Sequence, residues 1–177
     1  GPAGLSSAFY LRLKGFQVNV YDSNEFAGGM LRVSISEDIL PKEVLEREIK
    51  YIENTGVIFN QNTEIDNLKF NDLREKSDVV ILATGSLDNI HKDFGLKLSS
   101  NGFEVNKKTF ETSLSGVFAI GNSLRTSNHA IRALGHGKEV VTSIIQFIDK
   151  IEISGNKKRF NFVHFNSSSN SIYFLTI

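Results

Sequence analysis

The chain has 177 residues, 40% apolar and 23% charged, proportions that fit one globular domain with its own core. Its 20 basic residues balance 20 acidic ones and the pI is about 7.1, so the charge predicts neither a nucleic acid nor an anionic membrane as partner. Cysteine is absent, which excludes a thiolate nucleophile, a redox disulfide and a cysteine-ligated metal or iron–sulfur site within these residues.

No apolar run reaches the roughly 18 residues that a membrane span requires. No secretory leader is visible, so a cytoplasmic protein is expected. The four histidines, His91, His129, His136 and His164, show no i, i+4 pairing and read as surface or capping residues; no metal site is expected. The sequence opens on Gly1-Pro2-Ala3-Gly4 without a methionine, which reads as a chain that has lost something ahead of it.

In chain order, residues 3–14 have apolar residues at helical spacing and stop at Gly15. Residues 17–22 alternate like a strand. Gly28-Gly29 marks a turn. Pro41 opens a helix that ends at Gly56 and gathers Val44, Leu45, Ile49 and Ile52 on one face. Residues 57–60 and 63–65 read as short strands. Residues 78–83 hold an unbroken apolar run behind Asp78, as a strand buried on both faces does. Residues 103–105 and 117–120 are further strands, and 128–149 form a long amphipathic helix. Strands alternating with helices predict an α/β fold with a parallel sheet, in which 17–22, 78–83 and 117–120 are neighbours. The expected division is a core over 1–150 and a poorly structured tail over 151–177. That tail is rich in Ser, Asn and Lys, although Ile172 to Ile177 is apolar enough for an edge strand.

Four motifs carry the chemistry. Gly1-Pro2-Ala3-Gly4 is followed by a helix and by a strand ending at Asp22, 21 positions after Gly1. In a dinucleotide-binding turn, glycines admit the pyrophosphate to a helix N-terminus and an acid about 20 residues on holds the ribose. An ordinary loop and helix start would look the same. Gly28-Gly29-Met30-Leu31-Arg32 suits a loop passing close to a cofactor, or a plain turn. Ala83-Thr84-Gly85 stands at the carboxyl end of the buried strand, where open α/β sheets receive ligands, or where a strand simply turns. Gly116 to Asn122 is a strand, a glycine and a polar side chain ahead of a helix whose N–H groups can face an electron-rich ring.

In order and spacing these motifs resemble the pyridine-nucleotide-dependent flavoproteins that include the small subunit of glutamate synthase and the flavin region of dihydropyrimidine dehydrogenase. The run GGMLR, then LPKEVLEREIKYIENTGV, resembles the glutamate synthase branch, and KTFETSLSGVFAIGN with AIRALGHGKEVV resembles its second flavin segment. The resemblance covers about residues 1–149. It implies a Rossmann-like FAD-binding domain with its first strand missing. It implies that Gly1 and Gly4 bracket the FAD pyrophosphate and that Asp22, usually Glu in the family, binds the adenosine ribose. Gly29, Met30 and Arg32 would line the approach to pyrophosphate and flavin. Ile65 would offer its backbone to adenine, and Thr84 and Gly85 would lie beside the cofactor. Gly121 and Asn122 would hold the ribityl–phosphate region, with Ile131 near the flavin.

There are departures from the family pattern. Asn122 stands where the family has Asp. Val33-Ser34-Ile35-Ser36 replaces a Tyr-Gly-Ile-Pro turn. Gly85 to Gly116 is 31 positions, too short for the NAD(P)H-binding domain that the family inserts there. Residues 78–122 can equally be read as the end of that missing domain joined to the second flavin segment. The resemblance implies an NAD(P)H-dependent oxidoreductase that passes electrons to an iron–sulfur or large catalytic subunit, with the nicotinamide site not encoded here. A non-catalytic truncated remnant and a flavin-free nicotinamide reductase are the alternatives, and no residue is assigned a catalytic role.

Overall fold

The computed structural model describes residues 1–87, 94–127, 129–156 and 171–176. Helix α1 (Pro2–Leu13) has proline in its first turn, where a missing N–H removes no intrahelical bond. Strand β1 (Gln17–Asp22) buries every second residue. A single turn, α2 (Met30–Val33), follows Gly28-Gly29. Helix α3 (Lys42–Asn54) starts after Pro41 and buries Leu45 fully. Strand β2 (Ile58–Asn60) leads to α4 (Asn67–Lys76), whose N-cap Asp66 accepts the Lys69 N–H at 2.7 Å. Strand β3 (Val79–Leu82) is buried throughout. A short hairpin, β4 (Leu98–Ser99) and β5 (Gly102–Phe103), precedes β6 (Val117–Ala119). A 3-10 turn at Gly121–Ser123, the helix α5 (Ala130–Ile148) and the strand β7 (Ser171–Thr176) complete the order.

Five strands form one parallel sheet in the order β2-β1-β7-β3-β6. Strand β7 runs from Gln17↔Ser171 to Asp22↔Thr176 along β1, and from Val79↔Ile172 to Leu82↔Leu175 along β3. The period of two sorts the apolar run of β3 onto both faces. Val79 and Ile81 join Val18, Val20, Ile172, Phe118 and Ile120 in a cluster with residues of α1 and α5. Val80 and Leu82 join Phe70 and Leu73 of α4, together with Ile65, Phe94 and Phe103, in a second cluster. Both faces are therefore covered, which explains why this strand reads as continuously apolar.

Helices α1 and α5 touch through small residues. A Cβ added at Gly137 would lie 2.5 Å from the Ala3 carbonyl oxygen and 2.7 Å from Ser6 Cβ. The Ser6 hydroxyl donates to the Leu134 carbonyl at 2.9 Å across the same contact. Arg12 fastens the far end of α1, its Nε donating to Thr55 O at 2.7 Å and its Nη1 to Phe16 O at 3.0 Å.

The α/β class and the parallel sheet agree with the sequence reading, and several details do not. Strands β1 and β3 are not neighbours, because β7 separates them. The expected edge strand is an interior strand with partners on both sides, and it fills the gap beside β1 where the reading has a first strand missing. Residues 63–65 form no strand; the Thr63 N–H instead donates to Asp22 O at 2.8 Å, closing a loop. The helices α2 and α4 are additional. At the start of the expected loose tail, the N–H groups of Ser154 and Gly155 both donate to Gln146 Oε1 at 3.0 Å. Residues 157–170, the bulk of that segment, lie outside the described residues.

Two substitutions test this packing. Ile172, with no exposed surface, sits in the cluster under α1 and α5. Ile172→Ala is expected to cost about 2–5 kcal/mol in a urea titration, the range for a large aliphatic residue lost from a core. A cost below about 0.5 kcal/mol, the level of surface changes, would take β7 out of the sheet. Gly137→Val forces α5 away from α1 and should lower stability by roughly 1–3 kcal/mol. An unchanged thermal midpoint would contradict the close helix contact.

Candidate functional site

The chemistry-bearing residues gather at the carboxyl edge of the sheet. Strand β1 delivers Asp22, β3 leads into Ala83-Thr84-Gly85, and β6 leads into Ile120-Gly121-Asn122. The first turn of α1 starts at the same edge, with no side chain capping it. Its leading N–H groups are free of intrahelical partners and carry the positive end of the helix dipole.

Gly29 brings the Gly-Gly loop against this turn. Its φ is +53° with ψ −131°, and a Cβ there would lie 2.8 Å from Gly1 Cα. Any other residue would push loop and turn apart. Gly121 does the same from the other side: its φ is +69°, and an added Cβ would meet Ala3 Cβ at 2.7 Å. Gly1, Gly29 and Gly121 thus converge on the head of α1.

Asp22 is only 2% exposed. Its Oδ1 accepts from the Asn24 N–H at 3.0 Å and from Asn24 Nδ2 at 2.9 Å. Its Oδ2 has no donor among the described residues. Thr84 is 5% exposed, and its hydroxyl has no hydrogen-bond partner among the described residues. An unpaired buried hydroxyl costs about 1–3 kcal/mol, so such a group at a strand end marks a place where a ligand atom would be stabilising. Gly85 is open on its Cβ side.

Other motif residues are differently engaged. The Arg32 guanidinium donates to Ala27 O from Nε at 3.1 Å and from Nη2 at 2.9 Å, and it pairs with Glu46 at 2.6 Å. It clamps the Gly-Gly loop to α3. Asn122 Nδ2 donates to Ser127 O at 2.9 Å and closes the loop ahead of α5. Ile65 has no exposed surface and belongs to the core beside α4, so its side chain faces no ligand. Met30 and Ile131 are exposed. Among the described residues no cluster of His, Asp and Glu is arranged to hold a metal, and no helix is long and apolar enough to cross a membrane.

No family model matches the chain. It is 38% identical over 103 residues to the glutamate synthase (NADPH) small chain of Azospirillum brasilense, which is 58% of this chain and 20% of that protein. It is 41% identical over 87 residues to the glutamate synthase (NADPH) small chain of Bacillus subtilis, 49% of this chain and 18% of that one. The NADP(+)-dependent formate dehydrogenase subunit beta of Moorella thermoacetica is 40% identical over 86 residues, 48% of this chain and 12% of its own length. The chain resembles the glutamate synthase small chain. Its matched stretch spans about a fifth or less of each of these relatives.

Residues beyond the motifs complete the edge. Asn24 holds Asp22 in place, and the spacing Asp-x-Asn at a strand end is a sequence sign of such an Asx turn. Glu46 engages Arg32 from 14 positions away, with no local sign. His136 is not a bland surface residue: its Nδ1 accepts the Gly121 N–H at 3.3 Å.

That bond requires a neutral ring. Burial pushes His136 below the ordinary imidazole value; Glu139 opposes the shift and Arg132 adds to it. Glu104, Lys107 and Arg125 line the cavity that the ring also borders. With the folded value below the unfolded one, the unfolded chain takes up the proton first as pH falls. The stability from neutral His136 is complete above about pH 6.5 and is lost as pH drops toward the folded value. Urea midpoints measured from about pH 8 down to about pH 5 should fall below roughly pH 6.5, and His136→Gln should flatten that part of the curve. Parallel curves for the two proteins would show that His136 does not contribute.

Proposed function

We propose that this chain supplies the FAD-binding portion of an NAD(P)H-dependent flavoprotein oxidoreductase that passes electrons to an iron–sulfur or large catalytic subunit, in the cytoplasm. The observation that carries the reading is the Gly1–Gly29 approach at the head of α1, with Asp22 buried at the end of the next strand. Two backbones that meet without a Cβ between them leave room and N–H groups for a pyrophosphate, and a carboxylate at the following strand end suits a ribose. The strand order supports the same reading. In a dinucleotide-binding fold the strand that feeds the glycine turn lies between the second and fourth strands, which is where β7 lies here.

The residues present fit the cofactor. The N–H groups of the first turn of α1, with Gly1 and Gly4, would face the pyrophosphate. Asp22 would receive a ribose hydroxyl on its free Oδ2. Thr84 would donate its unpaired hydroxyl, and Gly85 would leave space beside it. Gly121 and the Oδ1 of Asn122 would border the ribityl chain, with Met30 and Ile131 exposed at the mouth. Ile65 would contribute only backbone. Arg32 would act by fixing the Gly-Gly loop, because its guanidinium is already occupied. The bound flavin would supply the conversion of a two-electron donor into one-electron steps.

The span from Ser86 to Ser115 holds the β4–β5 hairpin and has no room for a nicotinamide domain. NAD(P)H would therefore bind elsewhere in a larger assembly. A non-catalytic truncated remnant of such an enzyme is the competing reading.

Flavin binding separates the two. Titration of apo-protein with FAD, followed by flavin fluorescence, should show saturable binding, which a remnant that has lost the site would lack. Asp22→Ala should weaken it by about 1–3 kcal/mol, the cost of a buried polar partner left unpaired. Asn122→Asp, which restores the family's residue, should leave affinity equal or tighter. Identical affinity for wild type and the Asp22 variant would remove Asp22 from the site.

A further inference from the structure

A second concavity lies beside the 3-10 turn, with Leu124, Arg125 and His136 in its lining. Strand β6 ends the row of strands in the sheet, and on its outer side it meets the segment 110–112, with the Ala119 N–H donating to Phe110 O at 3.0 Å and the Thr112 N–H to Val117 O at 2.9 Å. The β4–β5 hairpin and the loop after it fold over that edge toward the 3-10 turn and α5. Between them is a cavity of about 450 Å³, within the size range of small-molecule sites.

Its lining has two characters. Phe103 and Phe110 are buried, and Leu124 is half-buried, so the floor is apolar. Lys107 and Arg125 are exposed at the cavity, and neither makes an ion pair or side-chain hydrogen bond among the described residues. Glu104 is the lining's single carboxylate, so the charge around the cavity is net positive. The His136 ring packs against Phe110 with centroids 5.1 Å apart. Because its Nδ1 accepts from Gly121, its proton sits on Nε2, giving another donor.

We propose that this cavity binds a small planar organic anion, an aromatic ring bearing one carboxylate. Two phenyl rings and a leucine suit a flat apolar body through offset and edge contacts. Two cations without partners suit the carboxylate, and the Arg125 guanidinium can take it through two parallel N–H bonds. A bare inorganic anion would leave the apolar floor unused, and an organic cation would face net positive charge. The inference rests on the cavity alone and not on the flavin reading, so it is tested on the chain without flavin.

Benzoate is the probe, with acetate lacking the ring and benzyl alcohol lacking the charge. Amide spectra of the ¹⁵N-labelled chain should show saturable shifts at Phe103, Phe110, Gly121 and His136, with a benzoate dissociation constant on the order of a millimolar. Acetate and benzyl alcohol should each bind at least about 10-fold more weakly. The variant Lys107→Gln with Arg125→Gln, at exposed positions that leave the core untouched, should also lose about 10-fold, since charge-assisted hydrogen bonds are the stronger kind. No saturable shift up to about 50 mM benzoate, far above the concentration that such a ligand needs, would overturn the proposal. So would equal binding by the doubly substituted variant, or shifts centred on Gly4 and Gly29 with none at Phe103, Phe110 or His136.

Discussion

Strand β7 between β1 and β3 sets the spacing of everything at the carboxyl edge of the sheet. Neighbouring strands lie about 4.8 Å apart, so one inserted strand places the ends of β1 and β3 roughly 10 Å apart. Asp22 and Thr84 stand just at those ends. With β1 paired directly to β3, the two would be half as far apart. The same strand also satisfies backbone groups on both sides, from Gln17 to Asp22 on β1 and from Val79 to Leu82 on β3. In a sheet covered on both faces those groups have no water to turn to.

Helix α1 depends on that width and on the absence of side chains around it. Ala3, Gly4, Ser6, Ser7 and Ala8 are buried, between the sheet and α5. Gly137 and Gly121 approach them from α5 and from the end of β6. Larger residues at any of these points would bury more area but lift the helix from its seat. The helix would then lose its alignment with the Gly-Gly loop. Small residues give up some hydrophobic stabilisation for a fixed helix position, and the site is assembled by that position.

The local parts of this design were legible in the sequence and the non-local parts were not. The alternation of Gln17 to Asp22, the apolar run ending at Leu82 and the Gly15 and Gly56 stops are all short-range signals, and the elements they predict are present. Helix α4 also had a local signal, Asp66 as N-cap, but its low amphipathicity hid it behind polar residues. Strand β7 had none. Its partners are some 90 and 150 positions away in the chain, and parallel pairing leaves no turn signature to announce it. The site residues divide in the same way. Glycines at Gly29 and Gly121 announce their positive φ, whereas the partner of Arg32 and the acceptor for the Gly121 N–H depend on tertiary packing.

The occupied groups at the edge say as much about its chemistry as the free ones. Arg32 is the one cation of the glycine-rich loop, and Glu46 neutralises it. The Asn122 amide is held by Ser127, and the Gly121 N–H by His136. Without a partner among the described residues are Asp22 Oδ2, Thr84 Oγ1 and the leading N–H groups of α1. A negatively charged ligand here would be held by backbone N–H groups and the helix dipole, Arg32 being already paired. Such a site selects by shape and by the line of N–H groups, and it tolerates no Cβ where the ligand must come closest. The glycines at the head of α1 are therefore the chemistry of the site as well as its geometry. A larger residue at Gly29 or Gly121 would keep its own backbone N–H and close the approach to the head of α1.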